Sequence, residues 1–259
     1  MSEAAIIEVD HVAQRFGSRT IFRDVSLQVY PREVFVILGG SGCGKSTLMK
    51  QLIGLLVPSA GHISLYGHKI TGRGGEAALH TVQQRIGVMF QSGALFGSMT
   101  LLENVMLPLE MFTALPPEGR EAVARVKLGL VGLADAAGLM PAEISGGMAR
   151  RAGIARAMAL DPPLLLLDEP SAGLDPITSA GLDRLILDLR QDIGATFVVV
   201  THELASILAI ADRCVMLDAD AYPDAGGVIA AGDPRVLSKE ATHSKVCAFF
   251  HRVALEDAL

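Results

Sequence analysis

A glycine-rich stretch between two apolar segments is the first place where this chain could do chemistry. It follows the apolar run 34–38 and reads Gly39-Gly40-Ser41-Gly42-Cys43-Gly44-Lys45-Ser46-Thr47. Glycines let backbone N–H groups turn inward around a polyphosphate, and a following helix N-terminus adds positive dipole. At this spacing the lysine reaches the β- and γ-phosphates and the serine ligates Mg²⁺. The stretch predicts a nucleotide-binding loop between a buried strand and a helix, with an ordinary Gly/Ser turn as the alternative.

Two carboxylates, Asp168 and Glu169, follow a run of four leucines that predicts a buried strand. Neighbouring residues at a strand end point to opposite faces, so the two side chains can have different roles. Asp168 is placed to hold Mg²⁺ through water or through Ser46, and Glu169 to polarise the water that attacks a γ-phosphate. The alternative is a pair that caps the next turn.

Two further polar residues follow predicted strands directly. Gln91 comes after the run 86–90, and His202 comes one residue after the run 196–200. Ligands gather at the carboxyl ends of parallel strands, which predicts that His202 lies near the γ-phosphate. Either residue could instead be an ordinary turn residue.

A second glycine-containing motif, Ser145-Gly146-Gly147, leads into a predicted helix. Ser145 can cap that helix, and the glycines can expose backbone N–H groups to a close anion. One chain would then hold two phosphate-binding helix ends, which is more than one triphosphate needs.

The composition excludes several classes of protein. The 259 residues carry a net charge of −6 without a long basic run, which argues against a nucleic-acid partner. The three cysteines, Cys43, Cys214 and Cys247, lie far apart, as expected in a reducing cytoplasm. We find no basic leader region and no uninterrupted apolar run of roughly 18 residues, so we expect no membrane crossing without partners. The mean hydropathy of +0.41 fits either a surface covered by partners or an extensive core.

The apolar pattern divides the chain into strand-rich and helix-rich stretches. Residues 6–30 alternate as in antiparallel strands, 47–56 predict a helix, and 62–66 and 86–90 predict strands. Residues 101–160 have helical spacing with breaks at Pro108, Pro116-Pro117, Gly138 and Pro141, whereas 164–167 and 196–200 predict a buried parallel sheet. Residues 218–233 read as turn-rich, with a hairpin turn at 224–227. The stretch 243–259 predicts a helix that either docks on a partner or packs on its own domain.

The order of these motifs, from the phosphate loop through Gln91, Ser145-Gly146-Gly147, Asp168-Glu169 and Asp175 to His202, resembles the ATPase subunit of ABC transporters over nearly the whole chain. The resemblance implies an α/β fold of the P-loop NTPase (RecA-like) type. It has a parallel-sheet core, an N-terminal antiparallel β subdomain and an inserted helical subdomain. The implied boundaries are 1–91 with 161–240 for the core and β subdomain, 92–160 for the helical subdomain, and 241–259 for a C-terminal helical extension.

The same resemblance implies roles for single residues. A head-to-tail homodimer would hold each ATP between the loop Gly39 to Thr47 of one copy and Ser145-Gly146-Gly147 of the other. Phe16 would stack on adenine, Gln91 would link Mg²⁺ to the helical subdomain, and Asp175 would communicate across the dimer. Glu169 and His202 would drive hydrolysis.

Two segments suggest a branch of the family. The family's usual Leu-Ser-Gly-Gly-Gln reads here with Ile144 and Met148 at its ends, which puts the contact of the usual glutamine in doubt. Residues 148–151 and 90–96 look like the Mla or MCE-associated ATPases, which power phospholipid transport between bacterial membranes. That resemblance implies a peripheral protein on the cytoplasmic face of the inner membrane. Its partners would be a membrane permease, an MCE-domain lipid-binding protein and a small cytoplasmic regulator.

Two alternatives remain open: an ABC ATPase serving another small solute, and a soluble ABC ATPase that acts on ribosomes, DNA or Fe–S assembly. The soluble class often has two cassettes, coiled coils or basic tails, which this sequence lacks. Cys43 inside the phosphate loop adds a separate expectation. A thiol reagent there should block ATP binding, and ATP should protect the thiol.

Overall fold

A computed structural model describes residues 4–91 and 93–253. The strands, in chain order, are β1 (Ile7–Phe16), β2 (Arg19–Val29), β3 (Val34–Gly39), β4 (Ala60–Leu65), β5 (His68–Lys69), β6 (Ile86–Met89), β7 (Leu164–Asp168), β8 (Thr196–Val200), β9 (Arg213–Tyr222) and β10 (Ala225–Gly232). The α-helices are α1 (Lys45–Leu52), α2 (Gly75–Val82), α3 (Leu101–Phe112), α4 (Pro117–Leu130), α5 (Gly146–Ala157), α6 (Pro176–Ile193), α7 (Leu204–Ile210), α8 (Pro234–Glu240) and α9 (Ser244–His251). The fold is α/β, as predicted.

The chain forms two compact units. The described residues within Met1–Val82 and Val200–Leu259 form the first, and Gln83–Val199 contains the second. The second unit thus includes β6 and β7 as well as α3 to α6. This division differs from the domain boundaries expected from the family resemblance, which stay a prediction.

The first unit is built on strands in the spatial order β5-β4-β1-β2-β10-β9-β3. β1 and β2 pair antiparallel, from Ile7 opposite Val29 to Phe16 opposite Arg19, which confirms the alternation found in the sequence. β3 instead pairs in parallel with β9. All six residues of β3 are buried, as a strand covered on both faces requires.

The second unit holds strands in the order β8-β7-β6, with α3, α4 and α5 between β6 and β7 in the chain. β6 and β7 are parallel, and Ile86 lies opposite Leu164. The four leucines of β7 are buried, and Asp168 at its end is partly exposed. The predicted buried strand and the helical stretch after residue 100 are therefore both present.

Two local predictions were wrong. Pro108 does not break a helix but lies inside α3: it lacks the N–H that would bond four residues back, and burial of the apolar face with Leu101, Val105 and Leu109 offsets that loss. Residues 218–233 are mostly strand rather than turn-rich: the predicted hairpin is present, formed by β9 and β10, but its turn lies at 223–224, with Tyr222 opposite Ala225, instead of at 224–227.

The glycines that suggested a turn at 224–227 have another role. A Cβ on Gly226 would lie 2.6 Å from the Ile21 carbonyl oxygen and 2.8 Å from that of Asp218. Gly226 therefore permits close approach of neighbouring backbones within the sheet, as glycine in a strand often does.

The described part of the C-terminal stretch packs on its own unit. Helix α9 buries Val246 and Phe250, and the Lys245 ammonium donates to the carboxylates of Asp218 and Asp220 on β9. This contact supports the second of the two alternatives for the stretch. Residues 254–259 lie outside the described residues.

A buried amide holds the segment before α3. Asn104 is fully buried; its Oδ1 accepts from the Phe96 N–H at 2.8 Å, and its Nδ2 donates to the carbonyls of Phe96, Met99 and Thr100. The Asn104 side chain thus bonds four backbone groups, of which the carbonyls of Phe96 and Thr100 also accept from the N–H groups of Met99 and Asn104.

We predict that Asn104→Ala lowers the free energy of unfolding by about 2–4 kcal/mol, because each buried polar group left unpaired costs about 1–3 kcal/mol. Denaturant unfolding of the full chain, followed by circular dichroism, measures this loss. Glu121→Ala on α4 is the control. Its exposed ion pair with Arg125 one helical turn away, at 2.7 Å, contributes under about 0.5 kcal/mol. Equal losses in the two variants would contradict the role of Asn104.

Candidate functional site

The loop after β3 depends on glycine at its two ends. Gly39 has φ +147° and Gly44 has φ +101°, both unfavourable for a residue with a side chain. A Cβ on Gly39 would lie 2.2 Å from the Leu217 carbonyl oxygen, and one on Gly44 would lie 2.6 Å from Cδ1 of Phe22. Nothing lies within 4 Å of a Cβ built on Gly40 or Gly42, so the middle of the loop faces open space.

Helix α1 starts with backbone donors available to a ligand. Its N-cap is Gly44, which has no side chain to accept from the first N–H groups, and those groups with the helix dipole favour an anion. The Lys45 ammonium donates to the carbonyls of Gly39 and Gly40, at 2.8 and 2.9 Å. These bonds hold a positive charge across the loop. Helix start and lysine together make a phosphate-binding geometry.

A cavity of about 300 Å³ opens beside this loop in the first unit. It is lined by loop and helix residues and by two residues of β2: Arg19, Ile21, Gly42, Gly44, Lys45, Ser46 and Thr47. Of the loop residues, Gly40, Ser41, Gly42 and Ser46 are exposed, whereas Gly39 and Cys43 are buried.

Burial changes what is expected of Cys43. The side chain is 1% exposed, and desolvation raises the pKa of its thiol, although the charge of Lys45 lowers it in part. A reagent needs an accessible thiolate. The structure therefore argues against ready modification of Cys43 by a thiol reagent.

The first unit also holds the predicted His202 and Phe16. The Thr201 N–H donates to the Ile37 carbonyl at 3.2 Å, which ties the segment before His202 to β3, the strand that leads into the loop. The His202 ring is exposed and lies 3.7 Å from the Glu203 carboxylate. Phe16 ends β1 with half of its surface exposed, so its ring is available for stacking.

In the second unit, β7 delivers the predicted carboxylates. Asp168 is the last residue of the strand, and Glu169 has φ +49°, in the left-handed region that non-glycine residues rarely adopt. Such strain persists where the surroundings enforce it, and it is common at active sites. At Glu169 the backbone turns away from the direction of β7, which ends at Asp168.

The Ser145-Gly146-Gly147 segment forms the start of α5. The Ser145 hydroxyl accepts from the Met148 N–H at 3.2 Å, which confirms the predicted cap. A Cβ on Gly147 would lie 2.5 Å from Cγ2 of Thr178, so this glycine packs against α6, whereas Gly146 is exposed. Ser145 and Gly146 are thus the outward-facing part.

Asp175 caps α6. Its carboxylate accepts from the N–H groups of Ile177 and Thr178, both at 3.0 Å, and from the Thr178 hydroxyl. These hydrogen bonds, that from the Thr178 hydroxyl first, lower the pKa of the Asp175 carboxyl. Ile177, two residues after Asp175, is 85% exposed.

Sequence reasoning missed how the segment after Gln91 is held. Gln91 is exposed just after β6. Further along, the Arg156 guanidinium of α5 donates to the carbonyls of Gly93 and Ala94, at 3.1 and 2.9 Å. A Cβ on Gly153 would lie 3.0 Å from the Gly93 Cα, so the segment packs closely on α5. The small residue Gly153 in a helix was the available signal.

Comparison with known proteins gives the family. A sequence-family model described as ABC transporter matches residues 22–172, which include the phosphate loop, Ser145 to Gly147, and both Asp168 and Glu169. The chain belongs to the ABC transporter ATPase family. Phosphate loop, capped glycine motif and strand-end carboxylates are accordingly parts of an ATPase.

Similar ABC proteins include an Escherichia coli (strain K12) protein named intermembrane phospholipid transport system ATP-binding protein MlaF. It is 42% identical over 239 residues, which cover 91% of this chain and 88% of that protein. A Mycobacterium tuberculosis (strain ATCC 25618 / H37Rv) protein named probable ribonucleotide transport ATP-binding protein mkl is 44% identical over 82% of this chain, but that match covers 58% of the mycobacterial protein.

Among solved structures of ABC proteins, a dimeric post-hydrolysis state of the ATP-binding cassette MJ0796 bound to ADP and Pi matches this fold with a TM-score of 0.76. The sequence identity is 30%, and the match covers 88% of this chain and 98% of that one. The likeness confirms the predicted P-loop NTPase fold.

No helix within 4–91 and 93–253 is both long and apolar enough to span a bilayer. Over the same residues, no group of three or more histidine, cysteine, aspartate or glutamate side chains forms a metal-binding cluster.

We predict that N-ethylmaleimide modifies Cys247 of the native protein at least about ten times faster than Cys43 or Cys214, because thiolate availability controls the rate. Cys43 and Cys214 are buried; desolvation raises both pKa values, that of Cys214 to about 12, and Cys247 is half-buried. Peptide mass spectrometry after timed labelling measures the ratio, with denatured protein as the control for equal reactivity. Labelling of Cys43 as fast as that of Cys247 would refute this account of the loop.

Proposed function

We propose that this chain is the ATP-hydrolysing subunit of a transporter that moves phospholipid between bacterial membranes. It would act as a homodimer bound to a separate membrane permease. The observation that carries the proposal is the 42% identity to a phospholipid-transport ATP-binding protein over 91% of the chain. The geometry of the phosphate loop supports the part of the proposal that concerns ATP.

In the first unit we assign nucleotide binding to the loop from Gly39 to Thr47 and to Phe16. The backbone from Gly42 to Thr47 would donate to the phosphates, while the Lys45 ammonium would move from its loop carbonyls to the β- and γ-phosphates. The half-exposed Phe16 ring would stack on adenine. Binding both ends of the nucleotide would fix its orientation.

The available donors fit Mg²⁺. The Ser46 hydroxyl, the Asp168 carboxylate and the Gln91 amide carbonyl offer hard oxygen ligands of the kind this ion prefers, with phosphate oxygens and water completing the shell. The small number of protein carboxylates also fits, since Mg²⁺ commonly binds through one or two of them plus substrate phosphates. When bound, the ion would neutralise charge on the β- and γ-phosphates.

Glu169 and His202 would act on the reacting atoms. Glu169 would accept a proton from the attacking water as the water oxygen bonds to the γ-phosphorus and the bond to the β–γ bridging oxygen breaks, leaving ADP and phosphate. His202 would donate a hydrogen bond to the γ-phosphate. The strained backbone of Glu169 supports a positioned rather than a merely exposed carboxylate.

A second copy would complete each site. The exposed start of α5, at Ser145 and Gly146 with Gly147 behind them, presents N–H groups and the positive end of a helix to the γ-phosphate bound by the other copy. Asp175 and the exposed Ile177 would lie at the contact between copies. The dimeric state of the similar cassette supports this arrangement.

We predict that Glu169→Gln lowers kcat for ATP hydrolysis by about 10²–10⁴, the usual contribution of a general base, and leaves the Kd for ATP nearly unchanged. Phosphate release and equilibrium ATP binding measure the two quantities on the same preparation. Glu118→Gln, an exposed glutamate on α4, is the matched control and keeps full activity. Undiminished hydrolysis by the Glu169 variant would remove its assigned role.

The transport partners extend the proposal beyond the ATPase. The two segments that resemble the Mla branch, 90–96 and 148–151, support a permease at the cytoplasmic face of the inner membrane. An MCE-domain lipid-binding protein and a small cytoplasmic regulator would complete the assembly. A second candidate, transport of ribonucleotides, is favoured by the 44% identity to the mycobacterial protein of that name.

Copurification separates these candidates. We expect the chain, isolated from its native membranes in mild detergent, to bring down a permease together with an MCE-domain protein and bound phospholipid. Mass spectrometry of proteins and lipids reads the result, and Lys45→Ala controls for dependence on nucleotide. A permease accompanied by a soluble ribonucleotide-binding protein would favour the second candidate, and failure to associate with membranes in every preparation would overturn both.

A further inference from the structure

The cavity beside the phosphate loop is lined by a positively charged side chain that belongs to none of the motifs described above. Arg19, the first residue of β2, lines this cavity together with Lys45 and Ser46. It also lines the neighbouring cavity of about 340 Å³, which shares Ile21 and Gly42 with the first. Arg19 therefore stands on the wall between the two.

The start of β2 packs against the phosphate loop. A Cβ on Gly44 would lie 2.9 Å from Cγ2 of Ile21, so Ile21 packs directly against the loop. Arg19 and Ile21 line the same cavity beside that loop. Arg19 also lies opposite Phe16 across the β1–β2 pairing. It thus stands between the ring proposed to stack on adenine and the loop proposed to hold the phosphates.

The charge of Arg19 is not neutralised within the described residues. Its guanidinium forms no hydrogen bond or ion pair with another residue in 4–91 or 93–253, and it is exposed. The two acids of the neighbouring cavity have cationic partners of their own. Asp220 pairs with Lys245 at 3.1 Å, and Asp224 pairs with Arg23 at 3.1 Å.

We propose that Arg19 binds the inner phosphates of the nucleotide. A guanidinium offers five N–H donors in a planar fork that matches phosphate oxygens, and such pairs are among the stronger hydrogen bonds in proteins. The backbone around Gly42 and Gly44, which shares the cavity with Arg19, belongs to the part of such a loop that binds the α- and β-phosphates. Lys45 is left to serve the β- and γ-phosphates. The inference rests on the proposed function and adds a contact to the same site.

Arg19→Ala tests the proposal by nucleotide binding. Because the inner phosphates are present in both ligands, we expect the Kd values for ADP and ATP to rise together by about tenfold, the size of one charge-assisted contact. Arg19→Glu should raise them further through repulsion. Arg19→Lys should restore part of the affinity, because it keeps the charge but not the fork.

Arg23→Ala is the matched control. This arginine lies four residues along the same strand, pairs with Asp224 and stacks over Tyr222 at 4.3 Å, and is not in the wall of the loop cavity. We expect its Kd values to equal those of the unaltered chain. Thermal unfolding midpoints of the variants separate lost contact from lost fold, and a destabilised Arg19→Ala would be replaced by Arg19→Gln.

The outcomes are distinct. An Arg19 variant that stays folded and binds ADP within twofold of the unaltered chain would overturn the inference, as would an equal loss in Arg23→Ala. A loss confined to ATP would also overturn it, because it would place the contact on the γ-phosphate. Failure of the unaltered chain to bind or hydrolyse ATP would instead overturn the proposed function.

Discussion

The close approach of backbone to backbone at Gly39 is the constraint on which the nucleotide site depends. β3 is buried along its length and runs parallel to β9, so its last residue meets the Leu217 carbonyl with no room for a side chain. At the other end of the loop, Gly44 lies against the side-chain ring of Phe22. The core thus fixes both ends of the loop, and its middle is left open with its donors available. The same glycines therefore allow close packing at the sheet and shape the loop that would bind the phosphates.

The local charge at the loop is opposite to that of the whole chain. The net charge is −6, yet the cavity holds the ammonium of Lys45, the guanidinium of Arg19 and the positive end of α1. Nearby acids have cationic partners of their own: Asp218 and Asp220 on β9 pair with Lys245, and Asp224 in the β9–β10 turn pairs with Arg23. A cavity walled by protein concentrates such a field, which favours a polyanion over other solutes.

The sequence was most informative about strands that lead into residues with a candidate functional role. The buried apolar runs before the glycine-rich loop, before Asp168 and before His202 predicted the strands β3, β7 and β8 correctly, since parallel strands covered on both faces need continuous apolar residues. It misled at Pro108 and at 218–233, where tertiary packing overrides local preference for a break or a turn. Helix α2 was not predicted. Arg19 belongs to no motif, and its significance depends on which neighbours already have partners, which only three-dimensional contacts reveal.

The structure also explains why the start of α5 tolerates departures from the usual signature sequence. The Ser145 hydroxyl accepts from the backbone N–H of Met148, an atom that any residue except proline would provide, so replacement of the usual glutamine leaves the cap intact. Gly147 is fixed by its contact with Thr178, whose backbone and hydroxyl are in turn bound by Asp175. The start of α5 and the start of α6 therefore hold each other in place within one unit. In the proposed homodimer, a segment positioned in this way would meet the second copy without first being ordered by it, and this preorganisation would lower the entropic cost of dimer closure.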